Sequence, residues 1–207
     1  ITTVGSVINE KSASIEVNGV AVKNASSLEN SNIIKGNTSS QAAIYNVSSV
    51  RNMTVNSSIT NEYGYGIFRP NPGSLTVYNE GDITSAGTAI YNTSGTLNVT
   101  NNGYINVTGS GHGIYNRGAT NILNEGVITV NGTGDGIHII VPDITTPVTI
   151  TNSGSIIANH GYNIYVYKGY SFSPVFDSEG NIIGYTPAND QVQVPSDSHI
   201  ECTGSLC

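Results

Sequence analysis

The feature that most constrains this chain is a repeat of about 23 residues. Lines that open on an apolar residue, followed in the best cases by an aromatic, start at Ile44 (Ile-Tyr-Asn), Ile67 (Ile-Phe-Arg), Ile90 (Ile-Tyr-Asn), Ile114 (Ile-Tyr-Asn), Ile137 (Ile-His-Ile) and Ile164 (Ile-Tyr-Val). A weaker line starts at Val22 (Val-Lys-Asn), and successive starts are 22, 23, 23, 24, 23 and 27 residues apart. Other columns hold the same register. Val77, Val99, Ile122 and Ile150 each stand two before Asn79, Asn101, Asn124 and Asn152. Two further on come Gly81, Gly103, Gly126 and Gly154, and two beyond those Ile83, Ile105, Ile128 and Ile156. A glycine also stands three residues before each of the last five starts, at Gly64, Gly87, Gly111, Gly134 and Gly161.

Alternating apolar and polar residues are the period of a β-strand. Each unit therefore holds two or three strands of three to five residues. Asn and Gly stand between the strands, where the chain must turn and where positive φ is expected. One coil cannot bury its own apolar edge. Stacked on its neighbours at about 4.8 Å per rung, it pairs its backbone above and below and places like residues over like. About seven rungs give a rod roughly 30–35 Å long. A leucine-rich repeat has a similar period but needs several Leu per unit and a convex helix, and a propeller blade needs about 40 residues in antiparallel hairpins. The sequence offers neither. Good helix formers are scarce, whereas Val, Ile, Thr and Tyr are common, which favours strands. The expected fold is all-β: a parallel β-helix of about seven coils over 1–164, followed by a distinct segment over 165–207.

Composition narrows the functions. Charged residues make up 10% of the chain and the net charge is −7. That balance argues against nucleic acid and anionic membrane surfaces as partners. No apolar run is long enough to span a bilayer. The chain opens at Ile1 without a signal peptide, as expected of a mature piece of a longer precursor.

The recurring Ile-Tyr-Asn-x-Gly and Asn-x-Gly-x-Ile pieces, such as Asn79-Glu-Gly-Asp-Ile83, Asn124-Glu-Gly-Val-Ile128 and Asn152-Ser-Gly-Ser-Ile156, resemble the passenger domains of bacterial autotransporters, the type V secreted proteins. The similarity covers about Val20 to Tyr165. It implies a right-handed, pectin-lyase-like parallel β-helix, export through the periplasm and outer membrane, and a translocating β-barrel elsewhere in the precursor. It also implies a secreted or cell-surface location. It does not choose among adhesins, toxins, proteases and receptor agonists.

The ends depart from the pattern. Residues 1–19 fit the repeat poorly and read as a degenerate first coil or a cut surface. Beyond Ile164, Phe172, Val175 and Phe176 precede Asp177-Ser-Glu-Gly-Asn181 and then Ile182, Ile183 and Tyr185. This predicts a β-hairpin that folds over the last rung as a C-terminal cap. Cys202 and Cys207 are the only cysteines. In an exported protein the expectation is a disulfide between them. Free thiols and a metal site that also uses His199 are the alternatives, the second being short of ligands. A close cysteine pair near a passenger's end also suits the resemblance.

The residue after each line start gives the candidate contact surface: Lys23, Tyr45, Phe68, Tyr91, Tyr115, His138 and Tyr165. With the Ile inward, these side chains point outward as an aromatic stripe. The stripe is either a self-stacking ladder that stabilises the sheet or a surface for a host cell-surface protein or glycan. Asn46, Asn92 and Asn116 come next in the line and are expected to stack as an amide ladder. Arg69 interrupts that column beside Pro70 and Pro72, so Phe68–Gly73 is expected to protrude as a loop and to offer a contact. The Val141–Pro147 insertion is another such loop. His112 and Asp135 share one column and are expected as an exposed cross-rung pair about 5 Å apart, with a catalytic dyad or metal site as the alternative.

Enzyme chemistry has little support. A lyase or hydrolase on this fold needs clustered carboxylates with Arg or Lys nearby. No two Asp are adjacent, Glu80 and Asp82 lie two apart and could share a face, and the three Arg are Arg51, Arg69 and Arg117. No catalytic residue, metal or cofactor is expected. The leading expectation is a passenger that binds a host component, as an adhesin or receptor-engaging factor. The alternatives are a non-binding stalk and a carbohydrate-active, pectate-lyase-like enzyme.

Overall fold

A computed structural model describes residues 1–141, 143 and 145–167, together with the backbone of Lys168 and of three later strands. All of its regular structure is β. Each coil visits three parallel sheets in turn. The first sheet stacks Ser6–Asn9, Ser27–Asn30, Ser49–Asn52, Leu75–Asn79, Leu97–Asn101, Thr120–Asn124, Val148–Asn152 and His199–Cys202. The second stacks Ser14–Val17, Ile33–Gly36, Ser58–Asn61, Asp82–Ser85, Tyr104–Val107, Val127–Val130 and Ser155–Ala158. The third stacks Val22–Lys23, Ala42–Tyr45, Tyr65–Arg69, Ile90–Asn92, Ile114–Arg117, Ile137–Val141 and Ile164–Lys168. The result is a β-solenoid of about seven turns, as the repeat predicts.

The columns read from the sequence are the columns of the structure. Ile67 pairs with Ile90, Ile90 with Ile114 and Ile114 with Ile137. Val77, Val99, Ile122 and Ile150 align, as do Ile83, Ile105, Ile128 and Ile156. These residues are all buried and join one continuous core. Each fully buried Ile or Val contributes about 1.5–3 kcal/mol of transfer free energy. No coil obtains this burial without its neighbours.

The second element of the interior is polar. Asn9, Asn30, Asn52, Asn79, Asn101, Asn124 and Asn152 close the strands of the first sheet and are buried. From Asn9 to Asn124, each Nδ2 donates to the Oδ1 of the next rung, at 2.7, 2.8, 2.8, 2.8, 2.7 and 2.6 Å in order. The same Nδ2 groups also donate to turn carbonyls, for example Asn79 to Gly81 O at 2.9 Å. The ladder thus ties each coil to the next and satisfies the corner that follows it.

Of the two readings of residues 1–19, the first coil is the one that forms, with Ser6–Asn9 and Ser14–Val17 paired in register to the coil above. Three expectations are corrected. The glycine after the ladder Asn is required by close approach, not by positive φ. A Cβ on Gly126 would lie 2.1 Å from Gly103 O in the stacked corner below. Positive φ falls instead at Gly73, Gly95 and Gly118, and at Asn24 and Asn46. The Asn46, Asn92 and Asn116 column is not one ladder. Left-handed backbone at Asn24 and Asn46 makes an exposed pair of them, with Asn46 Nδ2 donating to Asn24 Oδ1 at 2.9 Å. Asn92 and Asn116 form a separate buried pair at 2.8 Å. Lastly, Phe68 and Arg69 do not lie in a protruding loop. They continue a strand paired to Tyr91 and Asn92, and only Asn71 and Pro72 of that segment are exposed.

Toward the C-terminus, Ser173–Phe176 and Ile182–Thr186 pair antiparallel as the expected hairpin, with an irregularity between Val175 and Phe176. Its packing over the last rung and the Cys202–Cys207 disulfide lie outside the described residues. The backbone of His199–Cys202 then returns to pair with Thr149–Asn152. Cys202 takes the register position that Asn holds in the rungs below.

Candidate functional site

The third sheet presents the aromatic column. Because Ile44, Ile67, Ile90, Ile114 and Ile137 point into the core, the following residue of each strand faces away from it. Tyr45, Phe68, Tyr91, Tyr115, His138 and Tyr165 form one file, with successive ring centroids 5.7, 4.9, 4.7, 5.1 and 4.7 Å apart. Lys23 extends it, its Nζ 5.2 Å from the centre of the Tyr45 ring. These separations are the range of attractive aromatic pairing. Contact is edge-on between Tyr45 and Phe68 and between Tyr91 and Tyr115, and parallel between Tyr115 and His138. Each ring shields the next, so the stripe is half-buried and not fully exposed.

A second column widens the stripe. Tyr65 lies 5.1 Å from Phe68 and 5.3 Å from Tyr91, and Tyr162 lies 5.8 Å from Tyr165. Between the columns opens a cleft of about 370 Å³ whose walls include Tyr65, Tyr91, Tyr115 and His112, over the small residues Gly87, Thr88, Ser110 and Gly111. Its glycines are stacked corners: a Cβ on Gly111 would meet Thr88 N at 2.2 Å. The same constraint that closes the coil therefore leaves room beside the rings. Burial raises the phenol pKa of Tyr91, with Tyr115 and Tyr65 adding to the shift and Arg117 opposing it.

Near the C-terminal end of the file the rings give way to a polar cluster. Asp135 Oδ2 lies 2.6 Å from His138 Nδ1 and 3.6 Å from His112 Nδ1. Asp135 Oδ1 accepts the Tyr162 N–H at 2.7 Å. The Asp135 N–H donates to His112 Nδ1 at 2.9 Å, and the His112 N–H donates to Thr88 Oγ1 at 3.1 Å. His112 Nδ1 is therefore an acceptor, so the ring is neutral and its contact with Asp135 is not an ion pair. Burial pulls the His112 pKa down, His138 adds to this, and Asp135 opposes it. The expectation of an exposed pair is corrected here. Asp135 is only 7% exposed and His112 half-buried, and His138 joins them from the aromatic column. That third member was missed because the two columns were read separately. The signal was the three-residue spacing of Asp135 and His138 across one corner.

The remaining candidates are dispersed. Arg69 lies back over the preceding rung and donates from Nη1 to Ser48 Oγ at 2.8 Å. In the Val141–Pro147 insertion, Pro142 and Ile144 lie outside the described residues. Asp143 there is exposed and accepts from the Thr145 N–H and hydroxyl at 2.9 and 3.0 Å, which lowers its pKa. Glu80 accepts the Tyr78 hydroxyl, while Asp82 is exposed on the second sheet. An exposed Tyr104 that the repeat did not single out lines a separate depression on that sheet.

No helix among the described residues is long and apolar enough to cross a membrane. Comparison with protein-family models, with curated proteins and with solved structures finds no match.

Proposed function

We propose that this chain is a passenger segment of the autotransporter type, displayed or released outside a bacterial cell, that binds a host cell-surface protein or glycan along its aromatic flank. The observation that carries this reading is the file of rings from Tyr45 to Tyr165 opening onto the cleft between Tyr65, Tyr91, Tyr115 and His112. Aromatic walls with a few convergent polar groups are what ligand sites are made of. The rings are pre-positioned by stacking on a rigid sheet, so little side-chain freedom is lost when a ligand seats. The passenger assignment rests on the repeat motifs and on the solenoid that they build.

One observation favours a second reading. The rings bury one another, as a purely structural ladder would, and the segment would then be a stalk that binds nothing. Labelled chain incubated with host cells separates the two. Binding that falls in the folded double variant Tyr91→Ser, Tyr115→Ser supports the contact surface. Binding that is absent in the parent chain, or unchanged in the variant, supports the stalk. Pretreating the cells with protease or glycosidase then distinguishes a protein partner from a glycan.

A further inference from the structure

We propose that His112, Asp135 and His138 form a binding site for a divalent transition-metal cation, for which Zn²⁺ is the working probe. The three side chains come from two adjacent coils, and one ligand atom from each lies within 4.8 Å of the other two. Two imidazoles and one carboxylate are a donor set that suits zinc and its neighbours in the first transition series. Bonds of about 2.0–2.1 Å in tetrahedral geometry hold donor atoms about 3.4 Å apart. The His112 Nδ1–Asp135 Oδ2 separation of 3.6 Å is close to that already. The His138 Nδ1–Asp135 Oδ2 separation of 2.6 Å is a hydrogen bond, and it opens by less than about 1 Å when a cation takes the place of the proton.

The surroundings are those of a built site. The Asp135 carboxylate is anchored through Oδ1 by the Tyr162 N–H, which leaves Oδ2 to ligate. Outer contacts of this kind fix ligand orientation in metal centres. The two imidazoles lie on neighbouring rungs with ring centroids 4.4 Å apart. His112 Nδ1 accepts the Asp135 N–H and so carries no proton, as in the neutral form in which imidazole binds a metal. His112 is the ligand that must adjust, because its Nδ1 accepts the Asp135 N–H at 2.9 Å. Coordination exchanges that bond for the metal. His112 also lines the aromatic cleft, so a cation held here would sit at its edge. Three protein ligands leave a position for an exogenous oxygen or nitrogen donor.

Isothermal titration of the whole chain with zinc chloride tests this. The expected result is one site lost in His138→Gln and in Asp135→Asn, each weakening affinity by about 100-fold or more. A rise in melting temperature with zinc should vanish in the same variants. His160→Gln should bind as the parent does. Because Cys202, Cys207 and His199 are rival donors, the Cys202→Ser, Cys207→Ser chain is titrated alongside and is expected to keep the site. The proposal is overturned if folded His138→Gln and Asp135→Asn chains bind zinc with parental affinity. It is equally overturned if the parent chain binds none, or if binding disappears only with the cysteines.

Discussion

The inner asparagine ladder and the outer aromatic file climb the same axis one rung at a time, yet they differ in how much variety they contain. The inner ladder is Asn in seven rungs from Asn9 to Asn152. The outer file holds Lys23, four Tyr, Phe68 and His138. Inside, each side chain between Asn9 and Asn152 is both donor to one neighbour and acceptor from the other, and is buried. A change in one rung strands a polar group in the next. Outside, a ring needs only a flat neighbour at about 5 Å, and Tyr, Phe and His all serve. The buried column fixes the register of the stack. The outer column is free to acquire recognition chemistry.

Substitutions should separate the two ladders, most strongly on the inner one. Asn101→Ala removes an acceptor from Asn79 and a donor from Asn124. It should lower unfolding free energy by about 2–5 kcal/mol, read from denaturant titration. Tyr91→Ser with Tyr115→Ser removes two edge-on pairs, Tyr91–Tyr115 and Tyr65–Tyr91, and the contacts with Phe68 and His138, for a smaller loss of about 1–3 kcal/mol in the same titration.

A weaker effect should appear at alkaline pH. The Tyr91 phenol has a raised pKa in the folded chain because burial and neighbouring tyrosines disfavour its charged form. A raised folded pKa means the contribution is fully present below the unfolded value near 10 and is lost as pH rises through the folded value. Unfolding free energy should thus fall more steeply above about pH 10 in the parent than in Tyr91→Phe. The smallest change is expected at Asn46, which is half-exposed and pairs at the surface with Asn24. Asn46→Gly keeps the left-handed backbone accessible and should move stability by no more than about 0.5 kcal/mol.

The apolar columns were legible in the sequence because alternation marks which residues point inward. Ile90-Tyr91-Asn92 and its equivalents have one possible orientation once the Ile is buried. The long asparagine ladder was less legible. A polar residue before a glycine reads as a turn marker, and only the stacked backbone reveals that Asn79 and Asn101 turn inward to meet. The first coil was obscured by Ile8, an apolar residue that is 67% exposed and breaks the alternation around Val7 and Asn9. The return of His199–Cys202 to the first sheet was hidden by the long insertion before it and by Cys202 at the Asn position. Of the candidate site, the aromatic file was visible as a column. Of the His112–Asp135–His138 cluster, the cross-rung pair of His112 and Asp135 was visible, but His138 was not, since it joins them from a second column across a corner.

The division of labour between the ladders is tested most directly by measuring host-cell binding and melting temperature on the same two variants. Asn101→Ala should melt well below the parent yet bind cells normally at temperatures where it stays folded. Tyr91→Ser with Tyr115→Ser should melt closer to the parent and lose binding. If both variants lose binding only in proportion to their loss of folded chain, the outer file carries no recognition of its own.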